Sequence, residues 1–467
     1  MTTQSLLVKQ NWTKAGNAYV GDTPAGDSIE AFLASKNTAP NSGSAIWASS
    51  QVTDGNGAGT FADPYSLRGA VYSASVGSEV VLKDDGVYQL TNPMNIEWDY
   101  GDTQYPANNG GTDWDTNNPK IVTMNIGKPT QESERITIRG EQGKLPTIDC
   151  QQMLFCFMEQ NAYMTFRALN FTNAGTVFSV FSGCNYAKFD LISVDMVLGG
   201  DNSAPIKISN GGSEYGSVTR YYVNGPGLNS EGVHGNTCGI YNRINHHWTY
   251  RYCTIHNIPN GIIYKHPNNP AAIGGSANVT GLFENIHIYD TDYTTPLTCN
   301  GYTFRNIVFD RAVFSQNGGP GGDGVTYGGG DNLVDHCITG KFTLGTGASV
   351  TNGPEDGNGN VIKNCIIGDI DIHRYTAQVN TNQTDYNLYS GNMYQSGNLL
   401  TLAQKQANTE PANQDGNSLS GFPTYLAADV SEPSSFALQA GSLGEGSAEL
   451  NNNIGLLNVA ALGVMGA

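Results

Sequence analysis

A six-residue pattern, apolar-x-x-apolar-x-apolar, recurs through the middle of the chain. Its copies are FRALNF (166–171), FDLISV (189–194), VTRYYV (218–223), YRYCTI (250–255), FENIHI (283–288), FRNIVF (304–309), VDHCIT (334–339) and IKNCII (362–367). RITIRG (135–140) reads as an earlier, degenerate copy. Copies begin 21 to 33 residues apart, a spacing that stacked repeats of several kinds share. Helical repeats are excluded because the apolar period within a copy is close to two rather than 3.6, and the intervening positions hold Asn, Thr and β-branched residues. Leucine-rich repeats are excluded because their LxxLxL signature is missing. Each copy is therefore read as a strand in one turn of a coil.

A second strand is predicted in most turns. APIKISN (204–210), CGIYNRI (238–244), NGIIYKH (260–266), TPLTCNG (295–301), DGVTYGG (323–329) and GKFTLGT (340–346) align with alternate residues inward. Runs such as NGGPGGDG (317–324) and NGPEDGNG (352–359) supply turns, because Gly and Asn tolerate positive φ. The expected architecture is all-β: a right-handed parallel β-helix whose equivalent inward residues stack. One such stack would run Leu169, Ile192, Tyr221, Cys253, Ile286, Ile307, Cys337, Cys365. The open ends of the coil need covers. ADPYSLRGAVYSA (62–74) predicts a helix capped by Asp63 with Pro64 in its first turn, and EVVLKDDGVYQLTNPMNI (79–96) the first strands. LLTLAQKQAN (399–408) predicts a short helix at the far end. This divides the chain into an N-terminal extension or attachment segment (1–60), the β-helix (61–398), and a C-terminal cap with an apolar tail (399–467).

Composition agrees with a β-solenoid and narrows the partners. Charged residues are 14% against a usual ~25%, and Gly is abundant at 58 of 467 residues. The net charge of −18 disfavours nucleic acid and anionic membranes as general partners, so an anionic ligand would need a local basic patch. The tail IGLLNVAALGVMGA (454–467) is too short to span a bilayer, which needs roughly 20 apolar residues, so no membrane insertion is expected. The N-terminus has no apolar core of a signal peptide. None of the eight cysteines has CxxC spacing, and Cys253, Cys337 and Cys365 share one repeat position; they are read as small apolar core residues.

Candidate chemistry gathers on the outward face of the second strands. The alignment brings Lys207, Tyr241 and Ile263 onto one outward row, and Ser209, Arg243, Lys265 and Asn300 onto the next. Arg220, Glu231, His234, His246, His247, Trp248, Arg251 and His266 lie close by in sequence. β-Elimination on a uronate polymer needs a cation or Ca²⁺ to neutralise the sugar carboxylate, a base for the adjacent C–H and an acid for the leaving oxygen. Lys207, Arg243, Tyr241, Lys265 and Arg220 contain every required type, with Trp248, His246, His247, Glu231 and His234 as candidate sugar contacts. The plain alternative is a set of solvated surface charges. A hydrolase would instead need paired carboxylates, for which Asp190, Asp195, Asp201, Glu231 and Asp323 are available. Asp- and Asn-rich loops at 199–203, 321–324, 328–332 and 354–360 could ligate Ca²⁺, although no metal ligand is assigned. The insert 97–119 carries Trp98, Tyr100, Tyr105 and Trp114, which could stack on sugars or anchor a lid.

DPYSLRGAVYSASVGSEVVLKDDGVYQLT and FPTYLAADVSEPSSFALQAGSLGEGSAELNNNIG, with its F-x-L-x-x-G-S element, resemble the opening and closing segments of pectate-lyase-like β-helix proteins. The resemblance covers roughly residues 55–455. It implies the fold, and it implies a binder of acidic polysaccharide that cleaves it as a lyase, with a glycoside hydrolase as runner-up. Lys207 with Arg220 or Arg243 resembles the Lys–Arg pair on successive turns that such lyases use, but no family signature surrounds them. The Gly/Asn-rich coil with no signal peptide also resembles phage tailspikes and depolymerases, implying a virion-surface or extracellular location and a homo-oligomer, a trimer in the tailspike case. The rival reading is a non-enzymatic virion or surface scaffold whose tail, 454–467, docks on a neighbour.

Overall fold

A computed structural model describes residues 29–52, 57–90, 94–97, 129–228 and 237–464, with interruptions at 266–279, 315–330, 345–358, 373–381, 408–414 and 424–435 and at shorter gaps. The chain forms two compact units, 23–259 and 260–467. Each is built of parallel β coils, the β-helix that the hexads predict.

In the N-terminal unit the hexads stack in register. Their first residues align as Ile138, Phe166, Phe189, Val218, Tyr250. Their fourth residues align as Leu169, Ile192, Tyr221, Cys253, and their sixth as Phe171, Val194, Val223, Ile255. All are buried. Phe166 stacks on Phe189 with centroids 5.6 Å apart, and Phe178 packs against both. RITIRG is displaced by three residues from the register its hexad reading implied. Ile138 rather than Arg135 sits opposite Phe166, and Thr147–Asp149 supplies the second half of that copy, opposite Asn170–Thr172.

The hexad's two-residue gap has a backbone cause. Alternation along a strand would place inward residues two apart; here the first and fourth are inward, so the chain must turn between them. It does so at the third residue, which takes positive φ in every copy: Ala168, Leu191, Arg220, Tyr252, Asn285, Asn306, His336 and Asn364 lie between 52° and 58°. A ninth copy, TDYNLY (384–389), turns likewise at Tyr386. A second corner falls three residues before most hexads, at Tyr163, Tyr186, Tyr215 and His247 in the N-terminal unit and at Gly301, Asp331 and Gly359 in the C-terminal unit.

The second hexad position points outward and carries charge. In the C-terminal unit the aligned residues are Glu284, Arg305, Asp335, Lys363 and Asp385, which alternate in sign. Arg305 lies 3.9 Å from Glu284 and 3.8 Å from Asp335. In the N-terminal unit the row is Arg139, Arg167, Asp190, Thr219, Arg251. Opposite charges directly across parallel strands, throughout the C-terminal row and at Arg167–Asp190, favour this register over a slipped one, against the like-charged pair Arg139–Arg167.

The N-terminal cover differs in detail from expectation. The helix is Leu67–Tyr72, and its N-cap is Ser66, whose Oγ accepts from the Gly69 N–H at 3.1 Å. Asp63 and Pro64 belong to the turn before it, where the Asp63 carbonyl accepts from Ala58 and Thr60. Strand Ile46–Ala48, within the 1–60 segment, pairs with Glu79–Leu82. Helix Ile29–Lys36 lies against the strands Met164–Ala174 and Lys188–Met196. Its exit is pinned by Asn37, whose Nδ2 donates to the carbonyls of Gly140, Glu141 and Lys144, while buried Arg139 donates to Asn37 Oδ1 and the Ala39 carbonyl.

In the C-terminal unit, Asn332, Asn360 and Asn382 stack inside the coil. Asn332 donates through N and Nδ2 to Asn360 Oδ1, and Asn360 does the same to Asn382 Oδ1. Strand Tyr302–Phe314 runs on beyond its hexad. Its end pairs with Thr295–Pro296 on one side and with Lys341–Leu344 on the other, so it occupies the place given to DGVTYGG, which lies outside the described residues. The helix predicted near 399–408 is Leu402–Gln406, closed by a capping box of Thr401 and Gln404.

The tail packs within its own unit. Outward hexad residues Val308, Ile338, Ile366 and Leu388 form an apolar row buried under Phe436, Ala448, Ile454, Leu456 and Leu462. Corner asparagines hold the segment in place. Glu449 N donates to Asn364 Oδ1, Asn458 N to Asn306 Oδ1, and Gly463 N to the Asn285 carbonyl. The expectation that residues 454–467 dock on a neighbour is corrected for its apolar side chains Ile454, Leu456 and Leu462, which are already buried here. All eight cysteines are buried free thiols, as the core reading expected.

Candidate functional site

The outward face of the second-strand wall in the N-terminal unit carries the predicted cluster. Lys207, in Ile206–Ile208, aligns with Ser179 of Phe178–Val180 on one side and with Tyr241 of Cys238–Arg243 on the other. Ser179 in turn aligns with Phe157. Ile206, Ile208, Phe178 and Val180 face inward and are buried, which sends Ser179 and Lys207 outward. Yet this outward row is itself covered: Phe157, Ser179, Lys207 and Tyr241 are each 5% exposed or less. Lys207 Nζ lies 5.8 Å from the centre of the Tyr241 ring. Ser179 Oγ, beside Lys207, has no hydrogen-bond partner among the described residues. Arg243, two residues beyond Tyr241 on the same face, is exposed at the end of its strand. A buried amine, a phenol and an open guanidinium thus share one wall.

The other candidates separate from this row. Arg220 stands at a hexad corner on a different strand ladder, where it grips Asp190 with two bonds, one of them Nε to Oδ1 at 2.8 Å. Arg167 approaches the same carboxylate at 3.5 Å. The pairing of Lys207 with Arg220 is therefore not formed, and Asp190 is engaged as a counter-ion. Asp195 accepts from Asn224 at 2.8 Å. Trp248 is wholly buried, donating Nε1–H to the Ser213 carbonyl at 2.7 Å, with its ring against Gly216, where a Cβ would come within 2.3 Å. It is thereby removed from any sugar contact. His246 is buried beside it, and its carbonyl accepts from Tyr215 N. Glu231, His234, Asp201 and Asp323, the insert 98–119 and His266 lie outside the described residues.

Lys265 ends the strand Asn260–Lys265 of the C-terminal unit. Thr298 is opposite it, not Asn300: the alignment slips by two residues, which keeps the face and changes the neighbour. Among the described residues no three His, Cys, Asp or Glu side chains gather as a metal site, and most of the four Asp- and Asn-rich loops fall outside them.

His247 has a role the sequence reading missed. Its ring lies parallel to Tyr215 at 4.6 Å, Tyr215 to Tyr186 at 5.2 Å, and Tyr186 to Tyr163 at 4.7 Å. Arg135 closes the row, 5.5 Å from the Tyr163 ring. Arg135 also binds Glu132 with two hydrogen bonds, which, with Lys188, hold that carboxyl down at about 2. The signal was available: an aromatic residue stands three positions before each of four successive hexads. The ring faces are spent on one another, and their edges reach solvent.

No family model matches this chain, and neither does any curated protein. Among solved structures the chain is similar to pectate lyase Pel9A, with 13% identity and a TM-score of 0.47 over 92% of this chain and 98% of that one. It is also similar to the alginate lyase AlyGC, with 10% identity and a TM-score of 0.36 over 84% of this chain and 56% of that one.

Proposed function

We propose that the protein binds an acidic polysaccharide along the Lys207 wall of its N-terminal unit and cleaves it by β-elimination. The observation that carries this reading is the register of Lys207 with Tyr241 on adjacent coils, with Arg243 two residues further along the same face. Coils about 4.8 Å apart repeat on the scale of an extended sugar chain, so several sugars can lie across several coils. Arg243 neutralises the uronate carboxylate and makes the neighbouring C–H more acidic. Lys207 removes that proton, the electron pair becomes the new C=C bond, and the bond to the leaving sugar oxygen breaks. Tyr241 supplies the proton to that oxygen. The setting that goes with this reading is the extracellular space or a virion surface, in the latter case as a trimer, which light scattering of the purified protein would reveal.

Incubation with alginate, pectate and bacterial capsular polysaccharide tests the activity, read as the ultraviolet absorbance of an unsaturated uronate. Lys207→Ala and Arg243→Ala should each lower the rate by about 10²- to 10⁴-fold with an unchanged circular dichroism spectrum. Full activity in both variants dismisses this wall as the site. Release of reducing ends without that absorbance points to hydrolysis instead.

A further inference from the structure

A second cluster of reactive groups lies in the C-terminal unit, at the helix Leu402–Gln406. Lys405 and Asp415 are almost completely enclosed, at 3% and 0% exposure. Lys405 Nζ contacts Asp415 Oδ2 directly, donates to Thr384 Oγ1 at 2.7 Å, and lies 3.4 Å from the Tyr389 hydroxyl. Around the carboxyl group, Oδ1 accepts from the Tyr389 hydroxyl and from Ser418 Oγ, each at 2.7 Å, and Oδ2 accepts from Thr384 Oγ1 at 2.8 Å. Asp415 itself is fixed by its N–H, which donates to the Thr384 carbonyl at 2.6 Å.

We propose that Lys405 and Asp415 become joined by an intramolecular amide bond between Nζ and Cγ, formed in the folded chain with loss of one water. Burial penalises the charged form of an enclosed amine. Burial pushes the Lys405 ammonium below its usual range, and the Asp415 charge opposes that only in part. Transfer of one proton from Nζ to Oδ2 leaves a neutral amine beside a carboxylic acid. The Nζ lone pair then attacks Cγ, and the negative charge that develops on Oδ1 meets two hydroxyl donors already in place, those of Tyr389 and Ser418. Thr384 Oγ1, bonded to both Nζ and Oδ2, passes a second proton from nitrogen to oxygen. The Cγ–Oδ2 bond breaks, Oδ2 departs as water, and the nitrogen keeps one hydrogen. No oxidant or further reactant enters the balance. The product ties the helix and the segment around Asp415 to each other beside the coil that holds Thr384 and Tyr389.

The test is mass spectrometry of the full-length protein, reduced and denatured. The expected mass is one water below that of the sequence. Lys405 is the last Lys or Arg of the chain and follows Arg374, so trypsin separates 375–405 from 406–467 only if the Lys405 amine is free. A joined chain yields the uncut fragment 375–467, one water light. Full mass with complete cleavage after Lys405 overturns the proposal. Lys405→Arg should restore full mass. Tyr389→Phe and Ser418→Ala, which keep the packing nearly intact, should slow bond formation about tenfold or more. Bridging at the parent rate in both would remove those hydroxyls from the mechanism.

Discussion

Third-position corners are where single residues matter most. A left-handed φ costs a residue with a Cβ roughly 1–2 kcal/mol, and Asn is among the side chains that visit this region most readily. Asn306 adds a second duty: its Nδ2 donates to Asn285 Oδ1 at 2.8 Å and to the Asn458 carbonyl at 2.7 Å, and its Oδ1 accepts from Asn458 N. Asn306→Ala should destabilise the C-terminal unit by about 1–3 kcal/mol, read by urea denaturation, because it leaves the buried Asn285 amide and the Asn458 backbone unmatched. Asp335 sets an acid limit. Burial raises its carboxyl, but the adjacent His336 ring, with Nδ1 2.8 Å from Oδ1, and the bond from the Asn364 amide outweigh that and hold it below the ordinary 3.8. A depressed folded value stabilises above the unfolded one and is lost as pH falls through the folded one. Unfolding midpoints followed from about pH 6 to pH 2 should fall below about pH 4, and Asp335→Asn should flatten that limb.

At the scale of elements, the outward fifth position of the hexad separates the two units. It holds Asn170, Ser193, Tyr222 and Thr254 in the first, and His287 followed by the apolar Val308, Ile338, Ile366 and Leu388 in the second. The second set needs a cover, and the C-terminal segment is that cover. Ile454→Ala should cost about 2–4 kcal/mol and raise the binding of a hydrophobic dye, if the segment seals this row as its burial indicates. The apolar fifth positions of FRNIVF, VDHCIT and IKNCII stood in the sequence, but the repeat pattern treated them as variable. The hexads themselves were legible because their spacing reports a backbone event, a strand interrupted by one left-handed residue. Second strands were less so. Their two or three inward residues are too few to fix a register across loops of unequal length, hence the slip at Lys265 and the replacement of DGVTYGG by the end of Tyr302–Phe314.

For the whole molecule, a net charge of −18 opposes the approach of a polyanion, while on the proposed reading the exposed Arg243 attracts it only at short range. Salt screens the first effect more than the second, since the Debye length shrinks to about 10 Å at 0.1 M. Association with alginate or pectate should therefore speed up as salt rises from roughly 0.01 to 0.1 M, a trend stopped-flow binding would show; steady weakening from the lowest salt would contradict it. The chain's own pattern determined the coil, its inward stacks and the face on which Lys207, Tyr241 and Arg243 lie, because strand alternation and the two-residue gap are local properties. Only the tertiary structure decided which of those groups is enclosed, that Arg220 is bound to Asp190, that Trp248 lies inside, and that Lys405 meets Asp415. Each of these depends on how side chains from different coils and connecting segments pack together in space, and no spacing along the sequence records that.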